Sequence, residues 1–220
     1  MAAQIKHLGV GVIESRWFNS LNTSVRPLFD QLSEIWTGRI SAHHYEMFND
    51  ANALKEIMLR VSNRRGIRMI YLAGHGRRNG LVGSNGATIS RRHLRNIIRQ
   101  VAAEGCRKTK GLYIGSCLFT DTNTAHFILK SAQEREHPII WMAGYSTSVD
   151  WIDTISVDNY FMNCWIKQSV TSGGESARIR RVAAQMAEFM PGASRQLGFN
   201  IFVRRPGNNG VEALLPLKGD

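Results

Sequence analysis

The sequence has 220 residues, 43% hydrophobic and 20% charged, with a formal net charge of +11. That length suits one domain, and no apolar run reaches the roughly 20 residues that cross a bilayer. Three cysteines, Cys106, Cys117 and Cys164, argue against a disulfide framework. The N-terminal stretch Met1 to His7 lacks the basic-then-apolar layout of a secretory leader, so a reducing cytoplasm is expected. Arginine pairs recur along the chain, from Arg64-Arg65 to Arg204-Arg205. Charge alone is a weak warrant, and no zinc-finger or RNA-binding aromatic signature accompanies it. Nucleic acid is therefore not the expected partner, nor is a membrane.

In chain order, His7 to Ile13 reads as a first buried strand. Thr23 to Trp36 carries a helical apolar stripe, with Pro27 tolerable in the first turn. Ile40 to Phe48 is a second strand, and Asp50 opens a helix to about Ser62. Ile67 to Gly76 is an apolar run with β-propensity that stops abruptly at Gly74-His75-Gly76, as a buried parallel strand does. A polar, Gly-rich loop with a small hairpin follows over Arg77 to Gly86. A basic helix is expected from Ser90 to about Glu104. Gly111 to Cys117 is a strand ending in Gly115-Ser116-Cys117, followed by a helix over Ala125 to Glu136. Pro138 to Gly144 is another strand, leading into Tyr145-Ser146-Thr147. Helices are expected at Ser156 to Val170 and Glu175 to Met190. Leu197 to Val203 is the last expected strand, and the stretch from Pro206 is read as a loop tail. Residues 1–205 thus form one domain and 206–220 a C-terminal tail.

Strands alternate with helices almost throughout, which calls for a mostly parallel sheet covered on both faces. Three strand ends, at His75, Cys117 and Tyr145, would then lie along one edge, where open α/β sheets hold their ligands. A thiolate is a strong nucleophile, and an imidazole can take the thiol proton and return it to a leaving amine. The amides of Gly76 and Cys117 would point into the same cleft and bind a developing oxyanion. The plainer reading is that a lone Cys is a small core residue and a lone His a structural one. It is accepted for Cys106, Cys164 and the other histidines. It is weaker for His75 and Cys117, which both fall just past a strand beside glycine. His43 and His44 alternate across a strand and make a poor metal pair. No metal site is expected.

These three segments in order resemble the caspase-like cysteine peptidases, a group that takes in caspases, metacaspases, gingipain-like enzymes and bacterial CHAT peptidases. The stretch Ala143 to Trp151 is similar to the caspase strand and loop that line the substrate cleft. The likeness covers about Arg68 to Ile166. It implies a caspase-like three-layer α/β/α sandwich with a mostly parallel sheet of about six strands. It also implies a His75/Cys117 dyad, an oxyanion hole from the Gly76 and Cys117 amides, and substrate contacts from Tyr145, Ser146, Asp150 and Asp153. No cofactor is implied. A peptide substrate and a regulatory protein partner are, in the manner of bacterial relatives that act in defence or regulated cell death.

The chain departs from the family in informative ways. The caspase Gln-Ala-Cys-x-Gly signature is replaced by Gly115-Ser116-Cys117-Leu118-Phe119. No acidic linker follows Cys117, and no carboxylate cluster suits a metacaspase-type Ca²⁺ site. Caspases that cut after Asp carry an Arg near the position of Asp153. Asp150 and Asp153 here would favour Arg or Lys before the scissile bond. The alternatives are a non-catalytic scaffold with the same fold and a basic nucleic-acid-binding α/β module using the Ser90 to Arg99 face.

Overall fold

The computed structural model of the chain describes residues 5–16, 24–130, 137–169, 171–205 and 210–215. A seven-stranded sheet runs in the order β10-β9-β8-β7-β3-β1-β2. Its parallel part comprises β1 (Val10–Ser15), β2 (His44–Phe48), β3 (Met69–Ala73), β7 (Gly111–Gly115) and β8 (Trp141–Tyr145). Strand β9 (Phe199–Arg204) pairs antiparallel with β8, and β10 (Val211–Ala213) antiparallel with β9. A separate three-stranded sheet is formed by β4 (Gly76–Arg77), β5 (Gly80–Val82) and β6 (Thr88–Ser90). It leaves β3 at the residue after His75.

The expected three layers are present, because alternate residues of each strand bury into opposite helical faces. On one face Val10, Val12, Tyr71, Tyr113, Trp141 and Tyr145 pack against α1 (Arg26–Thr37), α5 (Trp151–Ser169) and α6 (Glu175–Phe189). On the other, Ile13, Ile70, Leu72, Leu112, Ile114 and Met142 pack against α2 (Ala51–Asn63), α3 (Arg91–Ala103) and α4 (Thr122–Leu129). A short α7 (Pro191–Leu197) leads into β9. Full burial of one such side chain is worth about 1.5–3 kcal/mol. Side-chain caps place the helix starts: Asp50 accepts from the Ala53 amide, Ser90 from His93 and Asp121 from Thr124.

The seven strands agree with the expected mostly parallel sheet of about six. Other expectations change. The stretch from Pro206, read as a loop tail, contributes β10: Val211 is buried, and the strand satisfies the free edge of β9. The four residues 206–209 and the end, 216–220, lie outside the described residues. Helix α5 starts at Trp151 instead of Ser156, because Asp150 accepts from the Ile152 amide and begins the helix early. The expected end of the helix over Ala125 to Glu136 falls partly outside the described residues, which show α4 ending at Leu129.

Candidate active site

Strands β3 and β7 are adjacent and parallel, with Ala73 paired to Gly115. His75 and Cys117 each lie two residues beyond that pair, at the same level of the sheet. Parallel neighbours run roughly 5 Å apart. Both residues line one cavity of about 160 Å³, together with Gly74, Gly115 and Ser116 from their own segments. The opposite wall comes from Val149, Asp150 and Trp151, and the floor from Tyr145, Thr154 and Asp158. The cavity thus sits at the carboxyl edge of three consecutive strands of the sheet.

Backbone packing fixes the two segments against each other. A Cβ at Gly76 would fall 1.9 Å from the Cys117 carbonyl oxygen, so only glycine allows this approach. Leu118, the residue after the cysteine, has φ of 63°, a left-handed conformation costly for a branched side chain. That turn lets the Leu118 amide donate to the Thr147 carbonyl at 3.0 Å and the Thr120 amide to Tyr145 at 3.0 Å. The loop after Cys117 is thereby tied to the segment after β8. Cys117 is half-buried, and its Sγ–H donates to the Val149 carbonyl at 3.3 Å. His75 is exposed, and its carbonyl accepts from the Val82 amide at 2.9 Å, which joins it to the small sheet.

The floor holds a residue that the sequence reading missed. Asp158, on α5, is 1% exposed and accepts hydrogen bonds from the hydroxyls of Tyr71, Tyr113 and Tyr145. Burial pushes its carboxyl above the usual range, while the three tyrosine hydrogen bonds pull the other way. The same burial, with Asp158 beside them, pushes the three phenols well up. The tyrosines come from β3, β7 and β8 on one sheet face, Tyr71 and Tyr113 being direct register partners. A Cβ at Gly115 would meet the Tyr71 hydroxyl at 2.3 Å, so that glycine makes room for the cluster. The signal was present in the sequence: Asp158 falls in the helical run Thr154, Asp158, Phe161, Trp165, a carboxylate on a buried stripe.

The other expected contacts divide. Tyr145 is buried in the floor with its hydroxyl on Asp158. Asp150 lies on the rim and caps α5. Ser146 is outside the lining; its hydroxyl donates to the Gly198 carbonyl at 3.1 Å. Asp153 is exposed on the first turn of α5, also outside the lining, because Trp151 and Thr154 occupy the helix face turned to the cavity. Among the described residues no group of three or more His, Cys, Asp or Glu is placed to hold a metal ion. No described helix is long and apolar enough to cross a membrane.

No family model matches the chain, and no curated protein matches it either. Among solved structures it is similar to iotapain, a secreted C11 cysteine protease from Bacteroides thetaiotaomicron. Identity is 9% and the TM-score 0.52, over 89% of this chain and 65% of that one. It is also similar to pro-sf-caspase-1, at 12% identity and TM-score 0.42, over 96% of this chain and 93% of that one. The chain spans about 65% of the C11 protease's length. With the sheet order and the two helical layers, that likeness establishes the architecture: the chain has the caspase-like α/β/α fold found in cysteine peptidases.

Proposed function

We propose that the chain is a cysteine endopeptidase in which Cys117 is the nucleophile and His75 the general base and acid. The observation that carries this reading is that both residues line one cavity, each two positions beyond a register pair of adjacent parallel strands. The Cys117 thiol gives its proton to His75, and the sulfur attacks the carbonyl carbon of the scissile peptide. The Gly76 and Cys117 amides hold the resulting oxyanion. The adduct collapses as the C–N bond breaks, the imidazolium protonating the departing amine and leaving a thioester. Water, deprotonated by His75, attacks the thioester, and the acid product and thiol are released. Every proton and electron pair is accounted for without a cofactor.

Cleavage after Arg or Lys is part of the proposal, with Asp158 taking the role expected of Asp150 or Asp153. A carboxylate offers about four acceptor positions. Three are taken by tyrosines, and a guanidinium or ammonium entering the cavity would take the remaining one and neutralise a buried charge. Asp150 on the rim adds attraction at the mouth. A place in bacterial defence or regulated cell death, under a protein partner, rests on the resemblance to CHAT peptidases.

Fluorogenic peptides ending in Arg, Lys or Asp test both parts. Hydrolysis of the Arg and Lys substrates is expected, with none for Asp. Hydrolysis after Asp alone overturns the specificity, and hydrolysis undiminished in Cys117→Ala overturns the peptidase assignment.

A further inference from the structure

A second concavity, of about 430 Å³, lies between α3 and α4 and is lined by Arg91, Arg95, Asn123, His126, Phe127 and Lys130. No carboxylate belongs to its lining among the described residues. The guanidinium carbons of Arg91 and Arg95 stand 5.1 Å and 4.0 Å from the centroid of the Phe127 ring. Stacking occupies the flat faces of the two guanidinium groups and leaves their in-plane N–H donors for a ligand. The Nε of Arg95 is buried and has no hydrogen-bond partner.

The helix that supplies these arginines contradicts ordinary helix electrostatics. Helix α3 reads RRHLRNIIRQVAA, with four arginines and no acid. Arg91 and Arg92 lie in its first turn, where the macrodipole favours anions. Arg91 and Arg95 are like charges four residues apart, a destabilising pair on an isolated helix. A helix keeps such unfavourable choices where a ligand compensates them.

We propose that the α3/α4 cleft binds clustered phosphate groups of the nucleotide class. Three cations and His126 in one cleft call for a compact ligand with two or more negative charges. Planar guanidinium groups match phosphate oxygens in paired hydrogen bonds. The volume lies in the range that accepts a nucleotide-sized molecule. The phosphates come from a free nucleotide or from a strand end. The proposal does not depend on the peptidase reading.

The test measures binding of ATP and of a fluorescent 5′-phosphorylated tetranucleotide to the full chain, at several salt concentrations. The proteins are wild type, Arg91→Ala/Arg95→Ala, Lys130→Ala, and Arg64→Ala/Arg65→Ala as a control that removes equal charge on another surface. The cleft double variant is expected to weaken binding about tenfold or more, from the loss of charge-assisted hydrogen bonds, and to flatten the salt dependence. Lys130→Ala gives a smaller loss, and the control changes affinity by no more than about twofold, as for a screened distant charge. Tighter binding of ATP assigns the site to free nucleotides; tighter binding of the tetranucleotide assigns it to strand ends. An equal loss in the Arg64/Arg65 control overturns the site. So does unchanged binding in both cleft variants, or tighter binding of polyglutamate than of either phosphate probe.

Discussion

Gly76 shows how closely the histidine segment is fitted to the cysteine segment. Its missing side chain lets the backbone rest on the Cys117 carbonyl, 1.9 Å from where a Cβ would be. Gly76→Ala must move one segment away from the other while leaving His75 and Cys117 in the chain. A shift of about 1 Å at reacting groups costs on the order of a hundredfold in rate. We therefore expect kcat/KM of Gly76→Ala to fall about a hundredfold, with circular dichroism like that of wild type. Unchanged kinetics would show that the contact does not position the dyad. Asp158 is read by two measurements. Asp158→Asn keeps the shape and removes the charge, so kcat/KM on Arg substrates is expected to fall about a hundredfold, as when one partner of a buried charge pair is lost. Folding raises the Asp158 pKa above its ordinary 3.8, so the folded state holds that proton more tightly than the unfolded chain. Its contribution is full at low pH and declines as pH rises through the raised value. The melting temperature of wild type relative to Asp158→Asn is accordingly expected to fall as pH rises from about 4 to 7. A difference that is flat with pH would show that Asp158 is not perturbed.

Among the elements, β3, β7 and β8 were the most legible in the sequence. Each is a short apolar run closed by a glycine-containing exit, and runs buried on both faces lack the alternation of half-solvated strands. Their adjacency followed from the alternation with helices, and it carried His75 and Cys117 to one edge. Less legible was anything that depends on pairing across the sheet. Strand β10 is three residues long, and its sequence, Val211-Glu212-Ala213, has no strand signature without β9 beside it. The start of α5 lies upstream of the expected Ser156 because Asp150 caps the helix at Trp151. The same shift decides which acidic side chain reaches the cavity. Once the helix begins at Trp151, Asp153 turns to solvent and Asp158, two turns on, comes to the cavity floor. The Tyr71, Tyr113 and Tyr145 cluster was visible only as isolated strand residues, since three strands and one helix are needed to bring the hydroxyls together.

For the molecule as a whole, two buried histidines outside the cavity lining, His43 and His137, tie stability to acid pH. His43 and His137 are buried, at 8% and 1% exposure, and burial lowers each to about 4 from 6.5. His43 lies beside Ser33, its Nδ1 2.9 Å from the hydroxyl oxygen. His137 stands near Arg204, whose charge adds to the depression. The folded state therefore binds these protons less readily than the unfolded chain. Their contribution is complete above 6.5 and is lost as pH falls toward 4. At pH 5 each costs about 2 kcal/mol, which shifts a melting temperature by several degrees. Replacing both with Gln is expected to flatten the decline between pH 7 and 5; a decline that persists unchanged would assign it to other groups.

The central claim is that Cys117 is a nucleophile served by His75 in a cavity that accepts a basic side chain. Labelling with an Arg-ending peptidyl acyloxymethyl ketone, followed by intact mass and peptide mapping, tests it most directly. One adduct per chain is expected, on Cys117, lost in Cys117→Ala and slowed at least about a hundredfold in His75→Ala, the scale of general-base assistance. Labelling spread over Cys106 and Cys164, or a Cys117 adduct forming equally fast without His75, would contradict it.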